Sequence, residues 1–251
     1  MNTVKYDYQS LLEADAVHIW QGRAPDEMDP ADLLLLSDQE LRVVERRSEQ
    51  AGARYASAHA ALRRILAGYL DVAPDAIRLG RRPCPRCEHP EHGRPRVDWP
   101  ETGLDFNLSR SGPHWLLAVV AGRQVGVDIE DSRHLDLHGS SALVMSDSEL
   151  ERLAAAGSDE ARSEVFFRCW TRKEAVVKAC GVGIITDLRS IDVRLTERGP
   201  VTVTHVEPSG PDTWTVQDLP VAAPLFAAVA QEAGSTGPVV LRRVDEGVLS
   251  S

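Results

Sequence analysis

Asp128 and Glu130 stand two residues apart in the run Val125 to Glu130, whose alternation reads as a β-strand. At that spacing both carboxylates leave one face of the strand, and Val127 and Ile129 leave the other. Such a pair suits a hard divalent cation. Mg²⁺ prefers oxygen ligands, takes one or two carboxylates, and completes its octahedron with water and substrate phosphate. A solvated strand face accounts for the pair equally well on its own. Further along, FFRCWTRKEAVVKACGVG from Phe166 advances as a helix, gathering Phe166, Cys169, Trp170, Val176, Val177 and Cys180 on one core-facing arc. Glu174 and Lys178, four apart, lie at the edge of that arc, as a surface ion pair or as part of a site. Lys173 falls inside the arc, where an ammonium needs an anion or a route to water, and this points toward a site. Lysine occurs only at 5, 173 and 178, arginine supplying every other positive side chain, so a compact ammonium is needed near 173–178. Cys84, Cys87, His89 and His92 form a second cluster, CxxCxHxxH, able to ligate zinc. Its single residue between Cys87 and His89 is tighter than the usual two-by-two finger. A loop with unbound cysteines is the preferred reading, and any zinc there would be structural.

The elements that must carry these residues follow from period and punctuation. Residues 38–70 read as helix, with Leu62, Ile65, Leu66 and Tyr69 at helical spacing, ended by Asp71 to Pro74. Arg78 to Pro100 is dense in Pro, Arg and Cys and reads as loop with at most short strands. Trp115 to Val120 and Val125 to Glu130, joined at Ala121-Gly122-Arg123, are expected to pair as a β-hairpin. Ser146 with Glu149 forms a capping box opening a helix to about Ala156. A second helix spans about Glu160 to Cys180, stopped by Gly181 and Gly183. Alternating runs at 190–195, 201–206, 214–217 and 226–229 suggest antiparallel strands, and 234–251 a last strand and a tail. The fold class is α+β with two lobes, 1–122 and 123–251, and a loose tail after about 245.

With 251 residues and 43% hydrophobic content the chain can bury a core without metal or disulfide staples. Its net charge of -10 argues against nucleic acid or anionic lipid as partners. No apolar run reaches the ~20 residues of a membrane span and MNTVKYDYQS lacks a signal pattern, so a cytoplasmic protein with reduced thiols is expected.

Three segments together resemble the motifs of surfactin-type (group II) 4′-phosphopantetheinyl transferases: FNLSRSG from Phe106, GVDIE from Gly126 and WTRKEAVVKACGVG from Trp170. LSDQELR from Leu36, RYASAHAALRRIL from Arg54 and HGRP from His92 extend the likeness over about 36–185. The resemblance implies a pseudo-two-fold fold with coenzyme A between the lobes, and transfer of its phosphopantetheine arm to a serine of apo acyl or peptidyl carrier proteins. It implies Mg²⁺ on Asp128, Glu130 and Glu174, and Lys178 at the transferred phosphate. Glu174 is a candidate base, with Asp128 or a water as alternatives. Arg54, His59, Arg94, Ser109 and Arg110 match positions that hold the phosphates and ribose of coenzyme A, with Arg42, Arg47 and Arg63 as rivals in the first helix. Arg110 replaces the histidine usual in that motif, which keeps the charge and removes titration near neutral pH. The leaving group would be adenosine 3′,5′-bisphosphate. Both lobes lie in one chain, so a monomer is the simplest assembly.

Overall fold

The computed structural model of the chain describes residues 6, 8–87, 89, 92–133, 137–182, 186–208 and 210–244. The helix stop expected at Gly183 and the tail beyond about 245 fall outside them. The elements in chain order are α1 (Tyr8–Glu13), β1 (Val17–Arg23), α2 (Pro30–Leu33), α3 (Asp38–Glu45), α4 (Glu49–Leu70), β2 (Arg78–Arg81), β3 (Pro95–Trp99), β4 (Leu104–Ser111), β5 (His114–Ala121) and β6 (Val125–Asp131). They continue as α5 (Leu137–Val144), α6 (Asp147–Ala154), α7 (Asp159–Cys180), β7 (Val201–Thr204), β8 (Thr213–Asp218), β9 (Leu225–Glu232) and β10 (Val239–Arg243). Among the described residues no helix is long and apolar enough to cross a membrane.

The fold is α+β and divides into two compact units, one from residues within 1–80, 96–122 and 237–251, the other from 81–95 and 123–236. Gly122 is one of four positions at which the chain passes between the units, after 80, 95, 122 and 236. Residues 81–95 and the last strand each belong to the unit of the other half.

In the first unit, a sheet of order β10-β1-β5-β4 packs its apolar side chains on α4. Leu62, Ile65 and Leu66 of α4 meet Trp20, Phe106, Trp115, Leu117 and Val119 of the strands. The long helix expected over 38–70 is two helices, because Ser48 caps α4 by accepting from the Ala51 amide. Asp71 ends α4 at φ 52, a left-handed conformation that Asp tolerates. In the second unit, a sheet of order β6-β9-β8-β7 packs on α7, where Phe166, Phe167, Val176 and Val177 meet Val203, Trp214, Val216 and Ala230. The capping box of Ser146 and Glu149 opens α6, and Gly181 closes α7 at φ 78.

The hairpin expected across Ala121 to Arg123 does not form. β5 pairs with β4 and β1, whereas β6 pairs with β9, so the turn passes the chain from one sheet to the other. The hairpin is β4–β5, turning at Gly112 with φ 57. Residues 190–195 leave a short 3-10 turn, Leu188–Ser190, and run as irregular chain in place of the expected strand, yet bury Ile191 and Val193 completely.

Candidate functional site

Gly126, Asp128 and Glu130 alternate along β6 and share the face on which α7 packs. A Cβ at Gly126 would lie 2.1 Å from the Ala175 carbonyl oxygen and 2.4 Å from the Ala179 amide nitrogen. A bare position there lets the helix backbone touch the strand. This approach brings the two motifs together. Lys178 Nζ donates to Asp128 Oδ1 at 2.5 Å, and Trp170 Nε1 donates to Glu130 Oε1 at 3.2 Å. Lys178 thus pairs with the strand rather than with Glu174 in the preceding turn. Burial first, and the charge of Asp128 second, push the Glu174 carboxyl up from its ordinary value, with Lys178 opposing. Asp128 is itself only 1% exposed. A buried and a half-buried carboxylate that repel one another beside an ammonium make a site suited to a further cation.

The residues present fit Mg²⁺ in chemistry, since all three candidate ligands are carboxylates and two of them repel one another, Lys178 opposing. Among the described residues no three Asp, Glu, His or Cys side chains converge into a ready-made cluster. Mg²⁺ usually draws one or two ligands from protein and the remainder from phosphate and water, so the pair Asp128 and Glu174 meets its need, with Glu130 adjoining.

Lys173 does not belong to this set. It is fully buried, donating to Glu149 Oε2 at 2.5 Å and to the Val144 carbonyl at 2.9 Å. The anion demanded by its place on the apolar arc is the capping glutamate of α6. Arg94, in the segment of the first half that joins the second unit, is 7% exposed, and its stem fills the space over Gly181.

The first unit gathers a cationic group around an aromatic ring. The Arg110 guanidinium sits 4.8 Å from the centroid of Tyr55 and that of Arg47 5.2 Å from it. The ring of His59 stacks on Tyr55 at 3.9 Å. Burial and then the charge of Arg47 lower the Arg110 pKa, so two guanidinium groups are held close on one platform. His59 Nδ1 donates to Glu40 Oε1 at 2.9 Å, and burial lowers the pKa of this imidazole in spite of the carboxylate. Along β4 the motif residues part: Arg110 follows Phe106 and Leu108 on the α4 side, and Ser109 joins Asp105, Asn107 and Ser111, all buried, on the other.

Of the first-helix rivals, Arg63 is 2% exposed, donating to Glu40 at 2.6 Å and to the Ile77 carbonyl at 2.8 Å, and is committed to the fold. Arg54 pairs with Asp26 at 2.6 Å. Arg42 is exposed on α3, and Arg47 is the rival that reaches the Tyr55 platform. Tyr55 and Glu40 went unassigned as site residues. Only the stacking geometry marks Tyr55, and Ser37 three residues before Glu40 gave a capping-box signal that stands for helix start alone.

Comparison with known proteins bears on the group around Asp128 and Lys178. The 4′-phosphopantetheinyl transferase superfamily (ACPS) model matches residues 124–230. The 4′-phosphopantetheinyl transferase HetI of Nostoc sp. (strain PCC 7120) is 32% identical over 195 residues, 75% of this chain and 78% of its own. The chain belongs to the 4′-phosphopantetheinyl transferase superfamily. Within it, the transferases ffp of Bacillus subtilis and Sfp of Bacillus subtilis (strain 168) are 35% and 32% identical, each over 45% of this chain. The chain spans about half the length of these two, 49% of each. The matched region of this transferase holds Asp128, Glu130, Glu174 and Lys178, and leaves out Arg54, His59, Arg94, Ser109 and Arg110.

Proposed function

We propose that this enzyme moves the 4′-phosphopantetheine arm of coenzyme A onto a serine of apo acyl or peptidyl carrier proteins, with Mg²⁺, releasing adenosine 3′,5′-bisphosphate. The observation that supports this most is Lys178 held on Asp128 at 2.5 Å, with the Glu174 carboxyl raised beside them, inside the region shared with the superfamily.

In the reaction the serine oxygen bonds to the β-phosphorus as the bond from that phosphorus to the oxygen of the adenosine side breaks. The serine proton leaves to a base. Glu174 takes that proton under this reading, directly or through a water. Lys178 lies against the transferring phosphate, its ammonium aimed by Asp128, and offsets charge where it builds. Mg²⁺, held by Asp128, Glu130 and Glu174, would neutralise the pyrophosphate oxygens. In the first unit, Arg110 and Arg47 on Tyr55, with His59, present fixed positive charge and an aromatic face to a nucleotide phosphate; Arg54, Ser109 and Arg94 are further contacts under this reading. The enzyme acts as a monomer in the cytoplasm, with neither nucleic acid nor membrane as partner.

Intact-mass analysis of an apo carrier incubated with the protein, coenzyme A and Mg²⁺ tests the proposal, with EDTA as control. The expected result is a Mg²⁺-dependent gain of one phosphopantetheine arm. No gain across several carriers while coenzyme A stays bound would leave a non-catalytic binder. Breakdown of coenzyme A without carrier labelling would make it a hydrolase.

A further inference from the structure

The transfer reaction leaves the cysteine and histidine group of residues 84–92 without a role. Cys84 is 1% exposed, and the chain turns immediately after it. The backbone N–H groups of Arg86 and Cys87 both bond to its sulfur, as does the Cys87 side chain. Cys87 Sγ lies 3.2 Å from His92 Nδ1. The His92 amide donates to the His89 carbonyl at 3.1 Å, and the two imidazole rings lie 4.5 Å apart.

A Cys-x-x-Cys turn brings two sulfurs within reach of one cation, and cysteine ligates metal as the thiolate. The single residue between Cys87 and His89 is no obstacle, because His92 Nδ1 lies 3.2 Å from Cys87 Sγ. We propose that Cys84, Cys87, His89 and His92 bind a zinc-class divalent cation. Two sulfurs and two imidazoles select such an ion over Mg²⁺ and make a closed structural site. The four do not surround one point in this structure, and the site is empty. Cys87 meets His92, whose ring lies beside that of His89, the two histidines and Cys87 are exposed, and the cation would displace the thiol protons as the exposed groups close on it.

The ion would staple a segment already clamped within the second unit. Arg86 donates to both oxygens of Glu207, each at 2.8 Å, and Arg94 packs over Gly181 at the end of the helix bearing Lys178. The metal site stands whether or not Arg94 contacts coenzyme A, so its test is independent of the transferase assay. The full-length protein is dialysed against metal-free buffer, its zinc is measured by mass spectrometry, and Co²⁺ is substituted for an absorption spectrum. Retained stoichiometric zinc and a thiolate-to-cobalt charge-transfer band are expected. Cys87→Ser and His92→Ala, both at exposed positions, should each reduce retained zinc while leaving the far-ultraviolet circular dichroism unchanged. Three outcomes would overturn the proposal: no thiolate band with cobalt, zinc retention indifferent to both substitutions, or recovery of Cys84 and Cys87 as a disulfide from freshly purified protein.

Discussion

Lys173 and Lys178 share α7 and differ in what holds them. Lys173 is sealed in the core on Glu149, and Lys178 is half-buried on Asp128. Lys173→Met leaves the Glu149 carboxylate buried without its cation, at a cost of about 3–5 kcal/mol, with the turnover of folded protein little changed. Lys178→Met should instead lower kcat by about 10²–10³, the scale for losing one charge-stabilising donor. Denaturant unfolding set beside initial rates separates them, and a reversed pattern would exchange their roles. Glu40 gives a prediction in pH. Burial pushes its carboxyl up, but hydrogen bonds from His59, Arg63 and Ser37 outweigh this and hold it at about 2, against an ordinary 4.5. A carboxyl lowered by folding adds stability that is complete above about 4.5 and is lost as pH falls toward about 2. Glu40→Gln should flatten unfolding free energy against pH across that window. It should also cost about 3–5 kcal/mol near neutrality, where Arg63 stays buried and unpaired. An unchanged acid slope would mean that other carboxylates carry it.

The contact of α7 with β6 rests on Gly126. A methyl there meets backbone on two sides, which no rotamer change relieves, so Gly126→Ala should cost at least the 1–3 kcal/mol typical of overpacking. It should also part Lys178 from Asp128 and lower turnover. Gly157→Ala is the control, since nothing lies within 4 Å of its added Cβ, and it should leave melting and rate as they were. Comparable losses in both variants would show that the tight approach is not what positions the site. At this scale α6 and α7 were legible from the sequence because caps and periodicity are local: Ser146 with Glu149, and Gly181 behind Cys180. The pairing of β5 and β6 was misread for the same reason. A short turn between two alternating runs looks alike whether the strands pair or enter separate sheets, and only distant partners, β1 for one and β9 for the other, decide it. That Asp128 and Glu130 share one face of β6 was readable from i, i+2 spacing. That Lys178 reaches across to Asp128 was not, since helical spacing offers Glu174 as its neighbour and says nothing of the strand beneath.

Across the whole molecule the chain changes unit after 80, 95, 122 and 236, so neither unit is a continuous piece of sequence. The last crossing returns β10 to the first sheet, parallel to β1, with Val17 to Gln21 opposite Val239 to Arg243. Pairing between strands so far apart in sequence carries no local signal, which is why a final strand could be expected from its composition but not given a partner. Arg242 also covers the Trp20 ring at 5.4 Å from its centroid. Deleting residues 237–251 would therefore strike the unit at the opposite end of the chain. β1 would keep β5 on one side and become an edge strand on the other, its amides that face β10 losing their carbonyl partners. Native-state hydrogen exchange should then show lost protection in His18 to Gln21 while β6, β8 and β9 keep theirs. Unaltered protection in β1 would mean that the first sheet holds its three remaining strands unaided. Loss confined to β6–β9 would contradict the assignment of the last strand to the first unit.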